Sequence, residues 1–234
     1  MALARLIDPR TPRRRKARHP IRSPLASAVP LVLFDIGGVL IRFRDELTYR
    51  AVADRYGLDR VRTAEILRGL REPLQSGQLT LHQFWSAFAG RVGCPMPNDW
   101  PSLWSQELAR AARPQPPVFA LAADLRRHGV RTGVFSNTDP SHWRFFRSMG
   151  WFKEFRPAIA SFQIGAVKPA SAAFRIAAAR LPRESSVPIF VDDNLANVRA
   201  AKRVGWDAVR FTSTPDLRVR LIARGLLGED RRGP

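Results

Sequence analysis

From residue 117 onward, short apolar runs alternate with amphipathic stretches, and this rhythm constrains the fold more than any other feature of the 234-residue chain. Periodicity predicts helix 118–128, strand 130–135, helix 141–149, strand 157–160 and helix 170–179. Strand 188–191, helix 195–204, strand 208–211 and helix 214–223 follow. Gly129 stands just past the first of these helices, where a C-terminal cap glycine belongs. Such alternation closes into a parallel sheet with helices on both faces, joined by right-handed crossovers. An earlier run, Leu31-Val32-Leu33-Phe34, reads as one more buried parallel strand. It delivers Asp35 to a strand end, and Gly37-Gly38 then let the backbone approach whatever that carboxylate meets. By itself this stretch fits a strand-ending turn with a solvated Asp equally well.

Residues 44–116 have a different character. Helices are expected at 45–56, 60–70, 79–91 and about 100–113, separated by Gly57, Gly77, Gly93 and Pro95-Met96-Pro97. Thr80 is placed to cap the third. No strand pattern appears, so the block reads as a helical insertion after the first strand. The expected fold class is α/β, a Rossmann-like three-layer sandwich. Its core would run over 31–43 and 117–228, with the inserted helices over 44–116 and a flexible tail over 229–234.

Residues 1–30 hold eight Arg or Lys against Asp8 alone and so carry +7 of the formal charge of +19, the rest being scattered along the chain. With Pro at 9, 12, 20, 24 and 30 and almost no apolar pattern, this arm reads as disordered. A nucleic-acid arm built on Arg13-Arg14-Arg15-Lys16 and a targeting leader are the alternatives. No apolar run approaches the length of a membrane helix, so no membrane span is expected. The single cysteine, Cys94, excludes an internal disulfide and points to a reducing, cytoplasmic setting.

Four polar sites follow predicted strands or open the next helix: Asp35, Ser136-Asn137-Thr138, Lys168-Pro169 and Asp192-Asp193-Asn194. In a parallel sheet all four open on one edge, where α/β folds bind ligands. Each has a bland reading as a helix cap, a solvated lysine or a capping turn; their order on one edge is what argues for a site. Crowded carboxylates need a cation, and oxygen-only ligands point to Mg²⁺. His19, His82, His128 and His142 are too dispersed for zinc. A hydroxyl, helix-start amides and a lysine are what a phosphoryl group needs. Asp35 would then be the nucleophile.

This arrangement resembles the haloacid dehalogenase superfamily, whose members are mostly Mg²⁺-dependent phosphatases, over roughly residues 31–225. The motifs FDIGGVL, VFSNT, GAVKP and FVDDN stand in the family's order. The resemblance implies that Asp35 is the nucleophile and that Lys168 neutralises charge at the reacting centre. Gly37, Gly38, Ser136, Asn137 and Lys168 would bind the phosphate, while Asp35, the Gly37 carbonyl, Asp193 and Asp192 would hold the metal. Asp192 is either a second ligand or an outer-shell group. Residues 44–116 would be the helical cap. Among subgroups, the motifs look closest to the one containing α-D-glucose-1-phosphate phosphatase and the N-terminal phosphatase domain of soluble epoxide hydrolase. The implied substrate is a small phosphorylated metabolite, a sugar phosphate among the options.

One departure matters. Most of the family's phosphatases carry a second Asp two residues after the nucleophile, as general acid and base; here that position is Gly37. Such a group typically contributes 10²–10⁴-fold. Water or a cap residue such as His82 is the alternative proton carrier. Three competing functions follow: a 2-haloacid dehalogenase, which needs neither the second Asp nor Mg²⁺; a non-catalytic binding module, which Gly37 favours; and a nucleic-acid binder resting on the basic arm. Trp85, Trp100 and Trp104 read as insertion core before pocket lining, and Arg68, Arg71 and Glu72 as residues near a helix end that could face the core.

Overall fold

The computed structural model describes residues 28–43, 45–95 and 98–228. All but the last three residues of the basic arm, and the tail expected over 229–234, lie outside them. A five-stranded parallel sheet forms the centre, in the order β5 (Ala158–Ala160), β4 (Arg131–Ser136), β1 (Leu31–Phe34), β6 (Ile189–Asp192) and β7 (Asp207–Arg210). Side chains alternate across β1, so its two faces feed two separate cores. Val32 and Phe34 pack with α5 (Pro116–Arg127), α6 (Pro140–Ser148) and α10 (Thr214–Ile222). Leu31 and Leu33 pack with α8 (Ser171–Ala178) and α9 (Leu195–Arg203). This is the three-layer α/β architecture expected from the alternation.

Helices α1 (Asp45–Tyr56), α2 (Arg60–Gln75), α3 (Leu81–Val92) and α4 (Trp100–Ala111) enclose a third core of their own. Trp85 and Trp104 are buried in it together with Phe84, Phe88 and Leu67, as the helical spacing suggested. Thr80 closes α3 with a reciprocal capping box to Gln83. The chain enters this layer through β2 (Ile41–Arg42) and leaves it through β3 (Arg113–Pro114), which pair antiparallel. That ribbon corrects the reading of 44–116 as strand-free: two residues per strand, one of them Pro, are too few to leave a period-2 trace.

Further differences lie at element ends and in one short helix. Helix α2 runs on past Leu70 to Gln75, because Pro73 falls in its last turn, where little of the hydrogen-bond ladder remains to be lost. Arg71 and Glu72 therefore lie inside the helix. Helix α4 stops at Ala111, two residues before the expected end. A four-residue helix, α7 (Ser161–Ile164), follows β5 without sequence warning. No helix among the described residues is long and apolar enough to cross a membrane.

Candidate active site

The C-terminal edge of the sheet gathers the four polar segments. Register fixes the convergence: Phe34 pairs with Val134 on one side and Val191 on the other, so Asp35, Ser136 and Asp192 emerge side by side. Asp35 N–H donates to the Val191 carbonyl at 2.8 Å, carrying the ladder one residue beyond the strand.

Lys168 organises the floor. Its side chain is only 1% exposed, and its Nζ lies 2.7 Å from Asp192 Oδ2, 3.0 Å from Asp35 Oδ1 and 3.0 Å from the Phe135 carbonyl. The ammonium also sits over the Phe190 and Phe135 rings, at 4.8 and 5.2 Å from their centroids. Burial works against the charge, but the paired carboxylates of Asp192 and Asp35 hold its pKa above the usual lysine value. Asn137 fixes the lysine backbone: its Oδ1 accepts from Lys168 N–H at 2.9 Å and its Nδ2 donates to the Lys168 carbonyl at 2.8 Å. The Asn137 side chain is thus committed to Lys168, which leaves its main chain for any ligand.

Burial drives the Asp35 carboxyl up to about 6, Lys168 opposes the shift, the Asp192 charge adds to it, and the Ser136 hydroxyl lowers it. The adjacent aspartates divide their work. Asp192 is fully buried: Oδ2 accepts from Lys168 and, at 3.0 Å, from Asn197, while Oδ1 accepts from Asn194 N–H at 2.8 Å. Asp193 turns outward and is exposed; burial of its carboxyl and then the Asp192 charge raise its pKa. Asn194 caps α9, its Oδ1 accepting from Ala196 N–H.

The glycines are not equivalent. Gly38 has φ +75°, and a Cβ there would lie 2.1 Å from Asp193 Oδ2. No side chain fits without displacing that carboxylate. Gly38→Ala is expected to push the Asp193 carboxylate out of its place beside Gly38, read as a change in the Asp193 carboxyl resonance and its titration by NMR. Gly37 lies outside the left-handed region, and its Cβ would meet only the far end of the Phe43 ring, at 3.1 Å. A Cβ at 37 requires the Phe43 ring to give by a few tenths of an ångström.

The residues fit a hard divalent cation. Oxygens of Asp35, Asp192 and Asp193 lie within 4.8 Å of one another. Asp35 Oδ1 is buried yet, despite the nearby ammonium, has no hydrogen-bond donor aligned on it. Three carboxylates face one lysine, so the cluster carries excess negative charge that a divalent ion would balance. Asp193 is free to ligate, whereas both Asp192 oxygens already accept hydrogen bonds.

Sequence reasoning missed the residues that tie the helical layer to this edge. Gln75, at the end of α2, accepts from Ser161 Oγ at 2.6 Å through its carbonyl, and Ser161 Oγ accepts from Thr138 N–H at 3.0 Å. Asp139 caps α6 by accepting from Ser141 and His142 N–H, a capping pattern visible in Asp139-Pro140-Ser141. Arg71 pairs with Asp45 across α1 and α2 instead of turning into the sheet core. His82 is exposed in the first turn of α3.

Comparison with known proteins places this geometry. Residues 29–205 match the model of the haloacid dehalogenase-like hydrolases. A haloacid dehalogenase-like hydrolase from Porphyromonas gingivalis is 24% identical, with TM-score 0.63 over 86% of this chain and 100% of that one. A family enzyme from Bacteroides thetaiotaomicron, solved with magnesium and inorganic phosphate, is 19% identical, with TM-score 0.59 over 79% and 94%. The L-2-haloacid dehalogenase of Xanthobacter autotrophicus, with chloropropionic acid covalently bound, is 19% identical, with TM-score 0.55 over 86% and 85%. The chain belongs to the haloacid dehalogenase-like hydrolase family.

Proposed function

We propose that the protein is a Mg²⁺-dependent phosphatase acting on a small phosphorylated metabolite through an aspartyl-phosphate on Asp35. The observation that favours this reading over a dehalogenase is Asp193: displacing a halide needs no cation, whereas a third carboxylate against Gly38 and beside Asp35 would complete a site for one. Asp35, Asp193 and the Gly37 carbonyl would hold Mg²⁺, with Asp192 behind them as the anchor of Lys168 and Asn197. The ion supplies charge neutralisation for phosphate and nucleophile.

An ionised Asp35 oxygen attacks phosphorus, the ester P–O bond breaks and the leaving oxygen departs with its electron pair. Water then attacks the same phosphorus, releasing inorganic phosphate and restoring the carboxylate. Ser136 and the Asn137 amide would grip the phosphate oxygens, and Lys168 would offset the charge on Asp35 and the phosphoryl group. The Gly38 amide, expected from sequence to join them, instead donates to the Ile41 carbonyl at 2.9 Å. Residues 44–116 would form the cap over this edge, consistent with their separate core and their two ribbon connections.

Gly37 offers no acid to the leaving oxygen, so turnover should follow leaving-group quality, with aryl and anomeric phosphates cleaved much faster than alkyl phosphates. A sugar 1-phosphate suits this chemistry, since its anomeric oxygen leaves with less need of a proton. In a folded Gly37→Asp variant, in which the Phe43 ring must move aside for the new Cβ, that dependence is expected to flatten by about 10²-fold for alkyl esters. A parent that cleaves alkyl and aryl esters equally fast would contradict this part of the reading. The test of the function itself is phosphate release from a panel of phosphorylated metabolites, with and without chelator.

A further inference from the structure

The helical layer and the sheet meet at a buried polar joint that the reaction chemistry does not use. Asp139 lies three residues beyond Ser136 and is 2% exposed. Its Oδ1 accepts from Ser141 and His142 N–H at 2.9 and 3.0 Å. Its Oδ2 accepts from Trp104 Nε1, on α4, at 3.2 Å and lies 3.1 Å from His142 Nδ1. The His142 ring stacks on the Trp104 indole, with centroids 5.3 Å apart and planes 7° off parallel.

These contacts fix the histidine's state. Burial pushes its pKa below the ordinary value; Asp139 opposes that, Arg71 reinforces it and Asp45 opposes it. A neutral ring beside a carboxylate keeps its proton on Nδ1, and Nε2 is buried with no partner. Asp139 therefore receives donors from its own helix and one, Trp104, from the helical layer. The second docking point, Gln75 through Ser161, lands on Thr138, one residue earlier. Both points seat the helical layer on residues 138–139, directly after Ser136 and Asn137.

We propose that Asp139 is a positioning residue that couples the docking of the helical layer to the grip of the 136–138 loop on phosphate, with the Trp104 indole N–H as the handle. The proposal rests on the phosphatase reading. By reciprocity, whatever loosens the handle weakens phosphate binding, and bound phosphate tightens the docking. Because the joint does not touch the reacting atoms, its loss should appear in affinity and not in the chemical step.

Trp104→Phe keeps the stacked ring and deletes the N–H. Trp85→Phe is the matched control: Trp85 lies in the same core, fully buried, with its own Nε1 unpartnered and its ring 5.9 Å from that of Trp104. With Mg²⁺ present, Trp104→Phe is expected to raise KM for phenyl phosphate and the calorimetric Kd for inorganic phosphate about tenfold. Its kcat should stay within about twofold. Trp85→Phe, which removes the same indole volume without breaking a hydrogen bond, should leave KM and Kd within about twofold, and Asp139→Asn should weaken phosphate binding in the same direction as Trp104→Phe. Equal changes in Trp104→Phe and Trp85→Phe, or an unchanged Kd in Trp104→Phe, would overturn the coupling while leaving the phosphatase reading intact. A parent that neither binds phosphate nor cleaves the ester would overturn both.

Discussion

Replacing Asp35 by Asn is expected to lower phosphate-ester turnover on the order of 10⁴-fold or more, the scale seen when a covalent nucleophile is removed. The variant should remain folded, because Asn keeps the shape and relieves a carboxyl that burial already holds at about 6. The same shift gives a signature independent of turnover. Burial raises the Asp35 pKa to about 6, so near that pH part of the metal-free population carries a proton that a cation binding the carboxylate must displace. Adding Mg²⁺ to unbuffered parent protein near pH 6 should therefore release protons, with a contribution that Asp35→Asn lacks. The acid limb of kcat/KM should lie below the metal-free value, because Mg²⁺ favours the ionised form.

Removing the Lys168 charge should have the largest structural effect. Among the described residues the ammonium is the one cation paired with both Asp35 and Asp192, and Asp192 is fully buried. Lys168→Gln strands these carboxylates, and breaking a buried pair from one side typically costs about 3–5 kcal/mol. That corresponds to a fall in melting temperature of roughly 10 °C or more for a chain of this size. Because Lys168 lowers the Asp35 pKa, its loss should drive that pKa above 6, so any residual activity shifts its acid limb to higher pH. Excess Mg²⁺ should recover part of the stability by supplying the missing positive charge. A Lys168→Gln protein as stable as its parent would show that the carboxylates are protonated or solvated, contrary to the packing.

Residues whose placement follows from the strand–turn–helix repeat were legible, and residues that act through a distant partner were not. Asp35, Ser136 and Asp192 each end an apolar run, and parallel pairing then forces them together whatever the loops do. Adjacent strand residues point to opposite sides, so one of Asp192 and Asp193 had to turn inward. Only the tertiary position of Lys168 and Asn197 decides that it is Asp192. Asn137 stood next to the proposed phosphate ligand Ser136 in sequence, yet its amide closes on the Lys168 peptide 31 residues away. The Gly38 requirement was visible as a glycine pair, but not its cause, the Asp193 carboxylate packed where a Cβ would be. The β2–β3 ribbon and α7 are too short to carry a period. Trp104, His142 and Asp139 converge from two segments with no shared motif, so three ordinary-looking residues concealed a buried joint.

The measurement that bears most directly on the account is product release by chelator-treated protein. The parent is stripped of metal and offered phenyl phosphate, a sugar 1-phosphate and a 2-haloacid, and then offered them again with Mg²⁺ restored. The account requires inorganic phosphate to appear only after Mg²⁺ returns, to vanish in Asp35→Asn, and no halide to be released at any stage. Halide release from the 2-haloacid that survives the chelator, or ester hydrolysis that persists in Asp35→Asn, would contradict it.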